Sequence, residues 1–318
     1  MRTILVSGAS GIVGYGILKS LREIKDIKLI GTTIYEDYIA PVFSDIVKIV
    51  PKTCEDNYIE SLIKIIQKYN VDMIIPSIEA DMFKWNDERK IIKETGCIPL
   101  LNNSNLINLC KDKWLFYQEL SKHNKNYVIP TYMSVPDNIK YPVILKPRRG
   151  YASQGMVIIN NEEELAIHKS KIGDTHILQP LIGSLDSEYT TGAFFDTDSN
   201  LKAYMTLRRK LSKQGYTETA ETVDIHNIKE VLTNLANIFK PTGPTNFQFR
   251  LENNELKLLE INPRISSATS IRAAFGYNES KMSIDYFLDK KEILQPELKK
   301  GKAIRYIEDY IEYDRNNI

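Results

Sequence analysis

Two neighbouring segments within residues 245–266 carry side chains that could hold a metal ion. Asn246 and Gln248 fall on one face of the first segment, between Phe residues, and Glu260 and Asn262 share a face of the second. Alternation with a period of two around an Asn-rich turn predicts a β-hairpin. One carboxylate and several carboxamides on a common face offer hard oxygen ligands, which suit Mg²⁺.

The length of the turn decides which side chains meet across the hairpin. A two-residue turn, Asn253-Asn254, places Gln248 opposite Leu259. A three-residue turn that extends to Glu255 pairs Gln248 with Glu260 instead. We expect the second register, because three-residue turns with a left-handed residue such as Asn are common. Directly opposed side chains then lie ~5 Å apart, close enough to share a metal.

A glycine-rich stretch near the amino terminus indicates a second ligand-binding layout. A short apolar strand runs into Gly8-Ala9-Ser10-Gly11-Ile12-Val13-Gly14 and then into a helix. Strand, glycine turn and helix form the phosphate-binding unit of a Rossmann-like domain. The acidic pair Glu36-Asp37 lies ~20 residues beyond the glycines, where a dinucleotide-binding fold places its ribose acceptor.

Further β and α segments alternate up to residue 101, which predicts an open parallel sheet. The loops at the ends of such strands bind ligands, so we expect the polar side chains after the strand at residues 72–76 to face a substrate. These side chains are Ser77, Glu79 and Asp81.

A second β-hairpin with a glycine-containing loop is predicted at YPVILKPRRGYASQGMVII, residues 141–159. Lys146 ends an apolar strand, and a buried lysine needs an anionic partner. Gly150 and Gly155 permit a loop whose amides can fold over phosphate groups.

Composition narrows the function classes. Among 318 residues, 42 are Lys or Arg and 41 are Asp or Glu, so no net field favours nucleic acid or a membrane surface. No apolar run approaches the length of a membrane span. Cys54, Cys97 and Cys110 form no C-x-x-C pair, which is typical of thiols in a reducing compartment, and we expect a cytoplasmic protein.

The segment Glu260-Ile261-Asn262-Pro263-Arg264, with Gln248 one strand earlier, resembles the metal-binding motif of the ATP-grasp ligases. It is most similar to the carbamoyl phosphate synthetase large-subunit type, in which a strand with Gln precedes Glu-x-Asn-Pro-Arg. Many relatives carry an acid in place of Gln248, so the match is to a subgroup. The order of motifs along residues 1 to about 290 also resembles this family.

The candidate site residues fall into four groups. Those for the metal are Gln248, Glu260 and Asn262; those for catalysis are Arg264 and Lys146; those for ATP are Lys113, Lys146, Gly150, Gly155, Gln179, Leu181, Ile182 and Glu188; and those for the substrate are Glu79, Asp81, Arg208 and Arg272. The resemblance implies that the backbone of Leu181 and Ile182 contacts the edge of the adenine. It also implies that Glu188 accepts hydrogen bonds from the ribose hydroxyls.

The resemblance implies an α/β and α+β architecture in three parts. A Rossmann-like domain at residues 1–103 precedes a small ATP-grasp subdomain with the glycine-rich lid at 104–182. A large subdomain with the metal site follows at 183–318. For the charged tail from about residue 292, a last strand and a short helix or lid both remain open.

The implied reaction is ATP-dependent ligation through an acyl phosphate. Its cofactors are ATP and a pair of Mg²⁺ ions, for which Mn²⁺ can substitute. Its partners are a small-molecule carboxylate and an amine, ammonia or thiol nucleophile, with neither nucleic acid nor membrane, and a homodimer is one arrangement open to it.

Three alternatives stay open at this stage. A kinase-like enzyme with the same motifs would release the phosphorylated acid. An NAD-dependent reductase or epimerase would use the Gly8–Gly14 loop together with Glu36. A nucleotide-binding module without catalysis would keep the fold and consume no ATP.

Overall fold

The computed structural model describes residues 1–36, 39–123, 125–150, 155–184, 188–212, 215–253 and 255–311. In chain order the helices are α1 Ile12–Leu21, α2 Ala40–Phe43, α3 Tyr58–Tyr69, α4 Glu79–Asp87, α5 Arg89–Glu94, α6 Ser104–Cys110, α7 Lys113–His123, α8 Glu162–His168, α9 Ile228–Phe239, α10 Thr269–Ala274 and α11 Glu279–Phe287. The strands are β1 Arg2–Val6, β2 Ile27–Thr33, β3 Ile46–Ile49, β4 Met73–Ile75, β5 Ile98–Pro99, β6 Val143–Pro147, β7 Val157–Ile159, β8 His176–Pro180, β9 Glu188–Phe195, β10 Leu201–Leu211, β11 Thr217–Thr222, β12 Gly243–Glu252, β13 Glu255–Asn262 and β14 Lys302–Ile304. Within these ranges no helix is both long and apolar enough to cross a membrane.

The amino-terminal domain is the predicted Rossmann-like unit. Its five parallel strands lie in the order β3-β2-β1-β4-β5, and the helices between them cover the sheet. The glycine loop lets α1 lie directly on the end of β1. A Cβ atom on Gly14 would lie 2.1 Å from the carbonyl oxygen of Gly8, so the close approach requires glycine.

The small subdomain contains the antiparallel sheet β7-β6-β8 with α8 against it. The hairpin predicted around Lys146 is therefore present, although residues 151–154 of its loop lie outside the described part of the chain. Helices α6 and α7 precede this sheet in sequence but pack on the core of the large subdomain. Phe116 of α7 stacks on Phe239 of α9 with ring centroids 5.2 Å apart.

The large subdomain is built on the sheet β13-β12-β9-β10-β11-β14. Strand β14 pairs with β11, so the first of the two possibilities for the tail is the observed one. The segment 201–224, which contains the candidate substrate residue Arg208, forms most of β10 and β11. Its alternation was hidden because the basic residues of β10 interrupt the apolar pattern.

The hairpin of β12 and β13, which carries the candidate metal ligands, has the predicted pairing but not the predicted turn. Glu252 pairs with Glu255, so the turn is two residues long, and the expected three-residue turn is wrong. A β-bulge after Gln248 adds one residue to β13, and this restores Gln248 opposite Glu260. Asn253 begins the turn with φ +51°, a left-handed conformation that Asn tolerates. Asn254 lies outside the described residues.

Arg272 is a buried structural residue, which corrects its assignment to the substrate. Its side chain is fully buried and pairs with Glu279 of α11 at 3.1 Å. It also donates to the Oδ1 atom of Asn246 at 2.6 Å and to the hydroxyls of Thr190 and Ser266, both at 3.0 Å. Burial raises the pKa of Glu279, while the neighbouring guanidinium opposes that shift. The network joins α10 and α11 to the sheet behind the metal hairpin.

We predict that Glu279→Leu destabilises the fold by roughly 3–5 kcal/mol, because it leaves the Arg272 charge buried without its carboxylate. The double variant Arg272→Met/Glu279→Leu should recover much of this loss, since no uncompensated charge remains. Denaturant unfolding of both variants measures the difference.

The matched control is the Arg208–Glu221 pair, which is shorter, at 2.6 Å against 3.1 Å, but lies on the surface. Glu221→Leu should change stability by no more than about 1 kcal/mol. Equal losses at the two glutamates would contradict a structural role for the buried pair.

Candidate active site

One cleft, with a cavity volume of about 370 Å³, brings most of the candidate residues together. All three parts of the chain contribute to it, because the end of the parallel sheet, the small sheet and the large sheet converge there. The candidate residues that line it are Glu79, Lys113, Lys146, Gly150, Gln179, Ile182, Glu188, Gln248, Glu260, Asn262 and Arg264.

Gln248, Glu260 and Asn262 form the candidate metal site on the floor of this cleft. Gln248 faces Glu260 directly across β12 and β13, and all three side chains are half-buried and open to the cleft. The Nδ2 atom of Asn262 donates to Oε1 of Glu260 at 3.0 Å, which turns the amide oxygen of Asn262 away and leaves it available. A carboxylate flanked by two amide oxygens fits the ligand preference of Mg²⁺. Among the described residues no three His, Cys, Asp or Glu side chains form a metal-binding group.

Lys146 lies at the end of β6 with its side chain almost fully buried in the cleft wall. Burial lowers the pKa of Lys146 to about 8, and the charges of Arg250 and Lys113 lower it further, while Glu260 and Glu188 act in the opposite direction. No hydrogen bond of its ammonium group is found within the described residues. Such a buried ammonium group is poised to bind an anion such as a phosphate.

Lys113 is held in the cleft at the start of α7. Its ammonium donates to the carbonyl oxygen of Gly150 at 3.0 Å, and its backbone amide donates to Arg148 at 3.0 Å. Asp112, directly before it, accepts from the amide of Trp114 at 2.9 Å and pairs with Arg148 at 2.7 Å. Burial raises the pKa of Asp112, but the hydrogen bonds from Arg148 and from the α7 amides outweigh this and lower it below its ordinary value. Asp112 thus caps α7 and, through Arg148, connects this helix to the end of β6.

Glu188 occupies the centre of a row of charges across three strands. It pairs in register with Arg209 of β10 and with Arg250 of β12. Its carboxylate lies 2.6 Å from Nη2 of Arg209 and 3.8 Å from Nη2 of Arg250. A carboxylate has about four acceptor sites, so these contacts leave it able to accept hydroxyl donors of a ribose as well.

The hinge between the two subdomains presents Gln179 rather than Leu181 to the cleft. The amide of Leu181 already donates to the carbonyl oxygen of Pro142 at 3.2 Å, and Leu181 does not line the cleft. Its expected backbone contact with adenine is therefore corrected, whereas Ile182 does line the cleft. Gln179 donates from Nε2 to Thr131 at 2.8 Å, and its buried Oε1 atom has no hydrogen-bond partner among the described residues. That free acceptor matches an exocyclic amino group such as the one on adenine.

Arg264 and Glu79 join the large subdomain to the amino-terminal domain inside the cleft. Nη2 of Arg264 lies 2.6 Å from Oε1 of Glu79, and Nη1 donates to the carbonyl oxygen of Ile265 at 3.0 Å. Within the described part of the chain, the buried Nε atom of Arg264 has no hydrogen-bond partner. The predicted catalytic arginine and one predicted substrate residue thus meet directly.

Three other predicted residues lie away from the cleft. Asp81 is buried in the amino-terminal core, where it accepts a hydrogen bond from the Tyr58 hydroxyl at 2.7 Å, so it is not open to a substrate. Arg208 points to the outer surface, where it pairs with Glu221. Gly155, with φ +72°, packs on Pro147 beside the lid and not in the cleft.

Sequence reasoning missed several residues of the cleft. Arg209 points inward and its neighbour Arg208 points outward, because successive side chains of a strand face opposite sides of the sheet. This alternation would have distinguished the two residues once β10 was recognised. The further lining residues that were not assigned a role are Cys110, Thr131, Tyr216, Arg250, Ser266 and Ser267.

Comparison with known proteins shows what this geometry is similar to. Residues 187–310 match the family model described as ATP-grasp in the biosynthetic pathway with Ter operon, and residues 17–100 match the PylC-like, N-terminal domain model. The chain superposes with a TM-score of 0.74 on N5-carboxyaminoimidazole synthetase from Staphylococcus aureus complexed with ADP, at 18% identity over 93% of this chain and 80% of that one. The chain has an ATP-grasp fold.

Two further relatives support the ATP-grasp fold. The biotin carboxylase of Campylobacter jejuni, solved as a complex with β-γ-ATP, gives a TM-score of 0.70 at 17% identity over 89% of this chain and 70% of that one. The carbamoyl phosphate synthase large chain of a Thermoanaerobacter species is 24% identical over 274 residues, which cover 78% of this chain and 23% of that protein. The match therefore spans less than a quarter of that large chain. The predicted resemblance to the carbamoyl phosphate synthetase type and the predicted fold are confirmed.

We predict that nucleotide binding by this protein weakens as pH rises through about 8, the pKa of Lys146. Only the charged ammonium attracts phosphate, so the dissociation constant of ADP should rise by up to about tenfold for each pH unit above that value. Calorimetry between about pH 7.5 and about pH 9.5 should show this trend together with proton uptake on binding.

Lys146→Met is the control, since it should bind ADP weakly at every pH in that range. The same pH profile in the wild type and in Lys146→Met would contradict the assignment.

The effect of pH on the folding stability has the opposite sign to its effect on ADP binding. The unfolded chain binds more protons than the folded one between the lowered pKa and the ordinary lysine value of 10.5. The cost of burying this charge is therefore present in full at low pH and is relieved as pH rises through that window.

Proposed function

We propose that the protein is an ATP-dependent ligase that activates a carboxylate as an acyl phosphate and transfers the acyl group to an amine, ammonia or a thiol. The observation that carries this proposal is the opposed pair Gln248 and Glu260, with Asn262 beside it, in the same cleft as two lysines and Arg264. Oxygen ligands for a metal and cations for phosphate are what phosphoryl transfer requires, since it needs positioning and charge neutralisation more than covalent chemistry from the protein.

The proposed reaction has two steps. A carboxylate oxygen of the substrate attacks the γ-phosphorus of ATP, the bond from that phosphorus to the β–γ bridging oxygen breaks, and ADP leaves. The nucleophile then attacks the acyl carbon, a new C–N or C–S bond forms, inorganic phosphate leaves, and the nucleophile loses a proton. The charges on the phosphates are largest during the first step, so that step determines which protein groups are needed.

The polar groups predicted from the sequence have the following roles in this scheme. Lys146 and Lys113 contact the phosphate oxygens, and Glu188 with the Gln179 acceptor orients the ribose and the base. Gln248, Glu260 and Asn262 would hold Mg²⁺, which when bound neutralises the charge that develops on the phosphates. Arg264 orients the acid against the γ-phosphate through charge-assisted hydrogen bonds.

The glycine loop supports this function better than it supports dinucleotide binding. The amide of Gly11 donates to Gly8 at 2.9 Å and that of Ala9 donates to Thr32 at 3.0 Å, so these two donors are used within the domain. Ile12 and Val13, where the loop passes into α1, form part of the cleft wall. Glu36 is exposed, and Asp37 lies outside the described residues.

We predict that Mg-ADP raises the melting temperature of the protein and that NAD does not. A ligand that binds only the folded state stabilises it by RT ln(1 + [L]/Kd), which is about 2.7 kcal/mol at a hundredfold excess over Kd. Differential scanning fluorimetry with each nucleotide at equal concentration checks this. Stabilisation by NAD alone would favour the reductase or epimerase.

The test of the reaction is trapping with hydroxylamine across a panel of carboxylic acids. Hydroxylamine attacks an acyl phosphate and yields a hydroxamate and phosphate, so no knowledge of the natural nucleophile is needed. We expect ADP and hydroxamate in equal amounts with at least one acid. Release of the phosphorylated acid in a parallel reaction without hydroxylamine or any amine would indicate the kinase-like enzyme, and binding of Mg-ADP without ADP release from any acid would indicate a non-catalytic module.

A further inference from the structure

The cleft contains two electrostatically different sets of charged side chains. Lys113 and Lys146 are cations without a carboxylate partner within the described residues, which suits a polyphosphate. In contrast, the charge of Arg264 is already matched by Glu79 at 2.6 Å. Both of these side chains are partly exposed, with 15% and 20% of their surfaces accessible. Arg264 and Glu79 therefore present a neutral pair to the cleft and not a bare cation.

A neutral pair selects for a ligand that carries both signs of charge. A simple carboxylate bound to Arg264 would lie beside the carboxylate of Glu79, and the two anions would repel each other over one guanidinium. A ligand with an ammonium group next to its carboxylate avoids that repulsion, because the ammonium lies against Glu79 while the carboxylate takes the free donors of Arg264. Nη1 and Nη2 of Arg264 each carry two N–H groups and each makes one hydrogen bond within the described residues, so one N–H of each remains as a donor.

The wall beside this pair is apolar. Ile12, Val13, Ile78 and Ala80 line the cleft from the amino-terminal domain. The remaining polar residue of that wall besides Glu79 is Ser77, whose hydroxyl already donates to the carbonyl oxygen of Ser7. Within the described residues, this wall thus offers no counterion for a charged side chain or a phosphate group on the acid.

We propose that the acid activated by this protein is an α-amino acid with an apolar side chain, held as a zwitterion between Arg264 and Glu79. Its side chain packs against Ile12, Val13 and Ile78. This inference rests on the proposed ligase function and specifies the substrate class of that same site. Its chemistry adds no further step, since the amino acid carboxylate is the group that attacks ATP.

The test compares leucine with 4-methylpentanoic acid, which has the same apolar chain and no ammonium group. With wild-type protein, ATP, Mg²⁺ and hydroxylamine, we expect hydroxamate formation from leucine with a kcat/KM at least ~10-fold higher than from 4-methylpentanoic acid, the effect of one charge-assisted contact. Aspartate, whose side chain would face the apolar wall, should react less well than leucine.

Glu79→Gln isolates the contact with the ammonium group. Leucine turnover should fall by about 10–100-fold, while 4-methylpentanoic acid should react as well as or better than with the wild type, because the repelling carboxylate is gone. Glu88→Gln is the matched control, since Glu88 follows the same helix and forms an exposed pair with Lys84. It should leave both substrates unchanged.

The outcomes separate this inference from the function on which it rests. Equal use of leucine and 4-methylpentanoic acid by the wild type would overturn the zwitterion site while keeping the ligase. An equal loss for both acids in Glu79→Gln would show that Glu79 only joins the domains, which also overturns it. Absence of hydroxamate from every acid in a broad panel would instead reject the ligase function itself.

Discussion

The pairing of Gln248 with Glu260 across β12 and β13 is the constraint on which the site depends. Side chains alternate along a strand, so a slip of one residue would move Glu260 to the other face of the sheet. The short turn alone would set the wrong register, and the bulge in β13 corrects it. The bulge lies directly beside the site, where such irregularities re-aim side chains.

Around this hairpin the protein matches most buried charges before any ligand is present. Glu188 lies between Arg209 and Arg250, and Arg264 meets Glu79. Because burial of an unpaired charge is costly, the groups left without an ionic partner carry information about ligands. Among the described residues Lys146 is the clearest of these groups, and burial lowers its pKa because the charged form is the one that burial disfavours.

The sequence predicted most elements and motifs because they depend on local patterns. Periodicity and turn residues predicted the parallel sheet, the glycine loop, the strand that ends at Lys146 and the hairpin of β12 and β13. All of these elements are present. The bulge was not predictable, since it depends on how β12 also pairs with β9. The direction in which a side chain points inside an unrecognised strand was not predictable either, which is why Arg208 was chosen and Arg209 was not.

Tertiary burial accounts for the other differences. Asp81 and Arg272 have the residue types of a site, yet each satisfies hydrogen bonds inside a core, with Tyr58 and with Glu279 respectively. Leu181 follows the hinge strand as expected, but its amide is used by Pro142. Nothing in the local sequence distinguishes these cases, because the deciding partners lie far away along the chain or on another element.

The most direct test of the account is the gain in ADP affinity that Mg²⁺ provides, measured by calorimetry in the wild type and in Glu260→Gln. Glu260 is the carboxylate of the proposed metal set, so Mg²⁺ should tighten ADP binding in the wild type, and Glu260→Gln should lose about 10–100-fold of that tightening. Affinity for ADP without metal should stay the same, and Glu255→Gln at the exposed turn should behave as the wild type does. An undiminished Mg²⁺ effect in Glu260→Gln would contradict the assignment of the metal site to this hairpin.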